Sequence, residues 1–183
     1  MLLALLVLLL AQLWFALHIA YWVKNNPSST AFMRARLEIL REKNPEAQLR
    51  HQWTPYSRIS PGLKRALIAA EDARFLEHRG FDWDGIRLAW ERNRREGKFV
   101  AGGSTISQQL AKNLFFSGQR TWWRKGQEAA VTVMIESMMS KQRILEIYLN
   151  VIEWGDGVFG ARSEEHTSEL QSLAYLVCRL LLE

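Results

Sequence analysis

In EDARFLEHRG, residues 71–80, two adjacent carboxylates are followed by an aromatic ring, a histidine and a glycine. Such side chains can move protons and orient a substrate. A carboxylate at the margin of an apolar surface is partly desolvated, holds a proton more tightly than in water, and can act as a general base. Glu71 has that placement. Ser60 and Pro61 form a helix start, with serine as N-cap and proline at the first helical position, where its missing N–H is not needed. Leu63, Leu67 and Ala70 follow at helical spacing, and Glu71 lies four residues after Leu67 and three after Ile68, at the edge of their stripe. The same residues also fit a plainer object: a helix end with a solvated Glu71 and Asp72, Phe75 in the core and Gly80 in a turn. Glu71 is therefore the candidate base, with Asp72, Phe75 and His78 around it.

A second set lies in GGSTISQQLAKNLFF, residues 102–116. The glycine pair permits a backbone turn, Ser104 or Thr105 can cap the helix that follows, and Ile106, Leu110 and Leu114 form its buried stripe. Gln108, Gln109, Lys112 and Asn113 then offer amides and a cation to another surface. Beside a carboxylate, that set suits a sugar-phosphate ligand; a generic capped helix could carry it without a role. The third set is Arg124 and Lys125 with Glu128, on a helix that opens at Trp122 and Trp123 and is expected to bury Val131, Met134, Ile135 and Met138. At a surface this is an ordinary ion pair worth under about 1 kcal/mol; in a cleft the same cations can hold a diphosphate. A further helix, 141–151, turns Ile144, Leu145, Tyr148 and Leu149 to the core, leaving Lys141 as its one candidate for a role beyond scaffold. Asn150, Gly155 and Gly157 are expected to turn the chain.

The elements that must carry these sets fit one globular domain with an appendage: 183 residues, 48% of them hydrophobic, suffice for a core. Residues 1–23 contain no Lys, Arg, Asp or Glu. At about 1.5 Å per residue they can span a hydrocarbon core of roughly 30 Å, and Trp14, Tyr21 and Trp22 include rings suited to an interface. The run is longer than a signal-peptide core and lacks a small-residue cleavage site, so an uncleaved anchor is expected. Lys24, Arg34, Arg36 and Arg41 follow it and no basic residue precedes it, which by charge alone puts the C-terminal side in the cytoplasm, unless a basic leader precedes Met1. Residues 24–59 read as a linker and connecting helix, helical over 31–49 and extended over 53–59. A helix over 81–96 is expected to pack through Trp83, Ile86, Leu88, Ala89 and Trp90, with Arg87, Arg92, Arg94 and Arg95 left polar. With no repeat, no Cys/His metal cluster, no nucleotide-type glycine loop and no alternating strand pattern, the fold class is mainly α.

Residues 162–183, RSEEHTSELQSLAYLVCRLLLE, break with the preceding style. The string coincides with the translation of a common short-read sequencing adapter and is read as an assembly artefact; the alternative is an amphipathic C-terminal helix. It holds the only cysteine, Cys178, so cysteine usage says nothing about redox compartment. It also carries four acidic residues and two basic ones, so the rest of the chain is more basic than its formal +5. Behind a membrane anchor, that charge points to phosphate head groups or a phosphorylated lipid as partner rather than nucleic acid.

Taken in order, EDARFLEHRG, GGSTISQQLAKN, RKGQE and KQRILEIYLN resemble the motifs of the peptidoglycan glycosyltransferases. That family comprises monofunctional transglycosylases and the N-terminal domains of bifunctional penicillin-binding proteins. The likeness covers residues 61–161, is highly specific, and is nearer the monofunctional branch. It implies a lysozyme-like helical domain over 60–161 behind one transmembrane helix. It also implies a reaction: lipid II is polymerised with inversion at the donor anomeric carbon and release of undecaprenyl diphosphate. By the same resemblance Glu71 takes the proton of the acceptor 4-hydroxyl and Glu128 assists donor or transition-state positioning. Ser104, Gln108, Gln109, Lys112, Arg124 and Lys125 line the cleft, and Asp72, Phe75, His78, Thr105, Asn113 and Lys141 are carried over as substrate-binding positions. A divalent cation, magnesium or manganese, is implied as an aid, with no organic cofactor. The resemblance further implies the inner membrane with the domain on the periplasmic side, against the local charge count, and wall-synthesis or cell-division proteins as partners. The family's fifth motif should follow Ala161, where the adapter-like string stands, so the literal chain is expected to have an open core and little activity. A lysozyme-like glycan cleaver and a non-catalytic partner of the wall machinery are the competing readings.

Overall fold

A computed structural model describes residues 2–98, 100, 102–117 and 121–161. The segment read as adapter lies outside the described residues. Helix α1 (Leu2–Lys24) carries apolar residues on all sides, and its Leu2–Trp22 stretch is long and apolar enough to cross a membrane. Its first half is exposed, whereas Ile19 and Trp22 are buried against the domain. The docking is aromatic and polar together. Phe15, Trp14 and Trp22 meet the Phe115 ring at centroid distances of 5.0, 5.7 and 5.3 Å, and Gln12 Nε2 donates to Gln127 Oε1 at 2.6 Å. The carbonyls that a helix end leaves unpaired need donors. Arg143 supplies them, reaching the carbonyls of Trp22 (3.0 Å) and Asn25 (2.6 Å).

Helix α2 (Ala31–Lys43) starts at Thr30, whose Oγ1 accepts from Met33 N. It ends six residues before the expected limit, and the chain goes extended to form β1 (Arg50–His51). A 3₁₀ turn at Tyr56–Arg58 replaces part of the expected extended segment. β1 pairs in parallel with β3 (Val158–Phe159), which pairs antiparallel with β2 (Glu153–Gly155), giving the order β1-β3-β2. No strand was expected; these are too short to show an alternation.

Helix α3 (Pro61–Glu71) begins as expected, with Ser60 Oγ accepting from Gly62 N and Leu63 N. Leu63 and Leu67 are buried, but Ala70 is exposed. Helix α4 (Trp83–Glu96) departs from expectation, since none of its residues is buried and Trp83, Leu88 and Trp90 are 71%, 61% and 60% exposed. It is held at its start, where Asp82 caps Gly85 N and Arg74 pairs with Asp82 and Asp84. Its apolar pattern is real, but no described element covers it.

Helix α5 (Ile106–Phe115) is the central element, packed by α2, α6 (Trp122–Met138) and α7 (Lys141–Val151). Ile106, Leu110 and Leu114 are buried as expected, together with Val131 and Ile135 of α6 and Ile144, Leu145, Tyr148 and Leu149 of α7. Met138 is exposed and Met139, just past the helix end, is buried instead. Asn150, expected in a turn, lies inside α7 and is fully buried. Its Oδ1 accepts from Thr54 N at 2.7 Å, while Nδ2 donates to the carbonyls of Thr54 (2.9 Å) and Glu146 (2.8 Å). One side chain thus pins the segment entering the domain onto α7. Because each buried backbone group left unpaired costs about 1–3 kcal/mol, Asn150→Ala should lower stability by about 3 kcal/mol, read by urea denaturation in detergent.

Candidate active site

Glu71 closes α3, and its half-buried carboxylate is oriented from α5. Gln109 Nε2 donates to Glu71 Oε2 at 2.8 Å, and Gln109 Oε1 accepts from the Tyr148 hydroxyl of α7 at 2.7 Å. Burial, then the charges of Glu71 and Asp72, push the Tyr148 phenol well above its ordinary value, so it stays a hydrogen donor.

Asp72, the C-cap of α3, faces inward. Its Oδ2 accepts from Ile106 N, the first amide of α5, at 3.1 Å, and its two oxygens lie 2.9 and 3.0 Å from His78 Nε2. Gly80 N donates to His78 Nδ1 at 3.1 Å, so that nitrogen carries no hydrogen and Nε2–H is the donor to Asp72. Thr105 Oγ1 donates to the Gly80 carbonyl at 2.6 Å. Gly80 has φ 94°, and an added Cβ would come 2.9 Å from Thr132 Cγ2 on α6, so the motif needs glycine there for conformation and for space. Phe75 is fully buried with Lys141 Nζ 4.5 Å from its ring centre. Asp72, Phe75 and His78, which were expected at the substrate, therefore frame Glu71 from behind.

On α5, Thr105 forms a capping box: its Oγ1 accepts from Gln108 N (3.3 Å) and Gln108 Oε1 accepts from Thr105 N (3.0 Å). That occupies the Gln108 carbonyl at the helix start. Ser104 and Lys112 are exposed and Asn113 is buried. On α6, Glu128 is only 3% exposed and sits between two cations. Arg124 Nε is 3.0 Å from Oε1, an ion pair not aligned as a hydrogen bond, and Lys125 Nζ is 3.2 Å from Oε2. Lys125 is half exposed, so Glu128 holds two cations, one of them open to a ligand. Lys141 is tied to the buried Glu136 at 2.7 Å, and Glu136 also accepts from Ser107 Oγ.

Tyr148, Ser107 and Glu136 were not anticipated. Tyr148 reads as a core residue by spacing; the available signal was that a buried tyrosine hydroxyl requires a partner. Ser107 and Glu136 stand on otherwise buried faces, where a polar residue implies a mate.

Among the described residues no three His, Cys, Asp or Glu side chains are grouped so as to hold a metal ion. The candidate carboxylates are also engaged: Glu71 by Gln109, Asp72 by His78 and an amide, Glu128 by two cations.

Residues 38–167 match the Transglycosylase family. The match begins inside α2, upstream of the expected start at 60 and in keeping with the packing of α2 on α5, and it runs past Ala161. The chain is 64% identical over 163 residues to a protein of Methylobacillus flagellatus, covering 89% of this chain and 71% of that one. It is 65% identical over 155 residues to one of Laribacter hongkongensis (85% and 68%), and 61% identical over 158 to one of Janthinobacterium sp. strain Marseille (86% and 68%). All three are named biosynthetic peptidoglycan transglycosylase. A mainly helical domain carrying these motifs is a glycosyltransferase of lysozyme-like type. The chain belongs to the transglycosylase family.

The frame behind Glu71 can be tested without substrate. Asp72→Ala leaves the Ile106 amide and His78 Nε2–H without their acceptor, and should lower stability by about 3 kcal/mol, with Asp72→Asn losing about half as much. Urea denaturation and hydrogen exchange at the Ile106 amide read both effects.

Proposed function

We propose that this chain is a membrane-anchored peptidoglycan glycosyltransferase that joins lipid II units into glycan strands. The observation that carries the reading is Glu71: a half-buried carboxylate whose Oε2 is held by an uncharged amide, while Oε1 has no hydrogen bond among the described residues. Oε1 is the atom that accepts the proton. The acceptor GlcNAc 4-hydroxyl gives up that proton as its oxygen bonds to the donor anomeric carbon from the face opposite the diphosphate. The bond from that carbon to the diphosphate breaks with its electron pair, so the anomeric centre inverts and undecaprenyl diphosphate leaves.

A diphosphate departs as an anion, so it needs cations more than a proton donor. Arg124 and Lys125 supply them, positioned by Glu128, with Ser104 exposed just before α5 and Lys112 exposed on it. The same feature weighs against a lysozyme-like cleaver, which needs a carboxylic acid at the leaving oxygen; Glu128 is committed to its two cations.

The anchor supports a lipid-linked donor. Gln12 lies about 15 Å along α1 from Trp22 and is bonded to Gln127 of α6. The start of α6, with Trp122 93% exposed, therefore lies beside the anchor, and with it Arg124 and Lys125. We assign the domain to the periplasmic side of the inner membrane.

With protein expressed from its resequenced locus, Glu71→Gln should lower kcat for lipid II polymerisation by about 10²–10⁴-fold while donor binding is kept. Normal polymerisation by that variant removes Glu71 from the base role. Shortened glycan from preformed wall would establish cleavage instead, and retained binding to wall-synthesis proteins with no effect of the substitution would establish a non-catalytic partner.

A further inference from the structure

Gln109 presents two chemically opposite ends, a donor Nε2 and an acceptor Oε1, and the end that meets Glu71 decides whether the carboxylate is stabilised or repelled. We infer that Tyr148 is a positioning residue for the base: its hydroxyl fixes the Gln109 amide so that Nε2 faces Glu71 Oε2, which reserves Oε1 for the incoming proton. This rests on the reading of Glu71 as base.

The geometry is a chain across three helices, Tyr148 O–H to Gln109 Oε1 at 2.7 Å, then Gln109 Nε2–H to Glu71 Oε2 at 2.8 Å. Tyr148 is fully buried, so its hydroxyl hydrogen must find an acceptor inside the protein. If the amide turned over, Nε2 would point at the phenol oxygen, the hydroxyl hydrogen would lose its acceptor, and Oε1 would face a carboxylate. Burial keeps the phenol protonated, so its hydrogen always needs an acceptor, and a reversed amide that donated to the phenol oxygen would leave that hydrogen without one.

The device matters after the proton is taken. A protonated Glu71 is itself a donor, and an amide free to turn would accept from it and trap the proton on Oε2. With Tyr148 holding Oε1 of Gln109, the amide offers Glu71 only a donor, which favours the ionised form needed for the next cycle.

The charges acting on the Tyr148 hydroxyl are those of Glu71 and Asp72. Asp72 accepts from His78 Nε2 and the Ile106 amide. Glu136 of α6 and Lys141 of α7 are matched to each other beside Ser107 and Phe75, and Lys112 on α5 is exposed.

Tyr148→Phe keeps the buried ring and removes the hydroxyl. With lipid II as substrate, KM should stay within about twofold, kcat should fall about tenfold, and the acid limb of the kcat profile should move to higher pH. In a Gln109→Leu background the same change should have no further effect on kcat, because the hydroxyl acts through the amide. A thermal scan of each variant checks that the fold is kept. An unmoved acid limb in Tyr148→Phe, or an equal loss of kcat with and without Gln109, overturns the proposal. Glu71→Gln separates the two readings: if it polymerises normally the base assignment fails, whereas an inactive Glu71→Gln with an unmoved Tyr148→Phe profile sinks only the role of Tyr148.

Discussion

The Asp72 carboxylate is the joint on which the site depends. It terminates α3, accepts the first amide of α5, and receives the His78 ring, so the end of one helix, the start of another and the loop between them share one buried acceptor. A negative charge at a helix N-terminus also opposes the positive end of the α5 dipole. Glu71 is the adjacent residue, and its direction follows from this joint: with Asp72 turned inward, Glu71 on the preceding position emerges toward Gln109. The Thr105 bond to the Gly80 carbonyl closes the loop from its other end. The adjacent carboxylates are thus unequal by construction, one anchoring and one presented.

The cationic side of the cleft is built differently. Arg124, Lys125 and Glu128 belong to one helix, so their mutual spacing is set by helical geometry rather than by tertiary contact. Tertiary contact instead sets where that helix sits. α6 is gripped by α5 on one side and by the anchor on another, through Gln12 and Gln127. A polar bond within an apolar helix is favoured by the absence of competing water, so the cations of α6 are held in register with the anchor helix. For a donor whose sugar is outside the bilayer and whose lipid is within it, this is the geometry that matters.

Much of the frame was legible in sequence. The Ser60-Pro61 start, the Ile106, Leu110 and Leu114 stripe, and the limits of α7 follow from local capping and periodicity, which act over a single turn or two. Glu71 was legible as the residue at the stripe's margin. The α4 face was not: Trp83, Leu88 and Trp90 have a pattern that predicts burial, and only the tertiary arrangement shows it uncovered. The short strands were invisible because two or three residues cannot show a period. His78 and Asp72 looked like site residues because their types are reactive; their mutual bond, and the backbone amides at Gly80 and Ile106 that complete it, connect positions up to 34 apart. Tyr148 was missed for the converse reason, since its ring fits the core stripe and its hydroxyl is spent on a partner 39 residues away.

The buried and half-buried carboxylates around the cleft can be sorted by what protonation would break. On Asp72 it would disrupt a bond to a helix amide and to an imidazole; on Glu128, two ion pairs; on Glu136, the pair with Lys141 and the bond from Ser107. On Glu71 it breaks no ion pair among the described residues, where its partner is a neutral amide on Oε2. A base that must cycle between charged and neutral forms belongs where the neutral form is not opposed by a cation, yet where the charged form still has a donor. Gln109 meets both conditions, and a lysine in its place would meet only the second. The division of labour among these carboxylates follows from their partners, and an amide rather than a cation beside Glu71 is what suits it to the base role proposed for it.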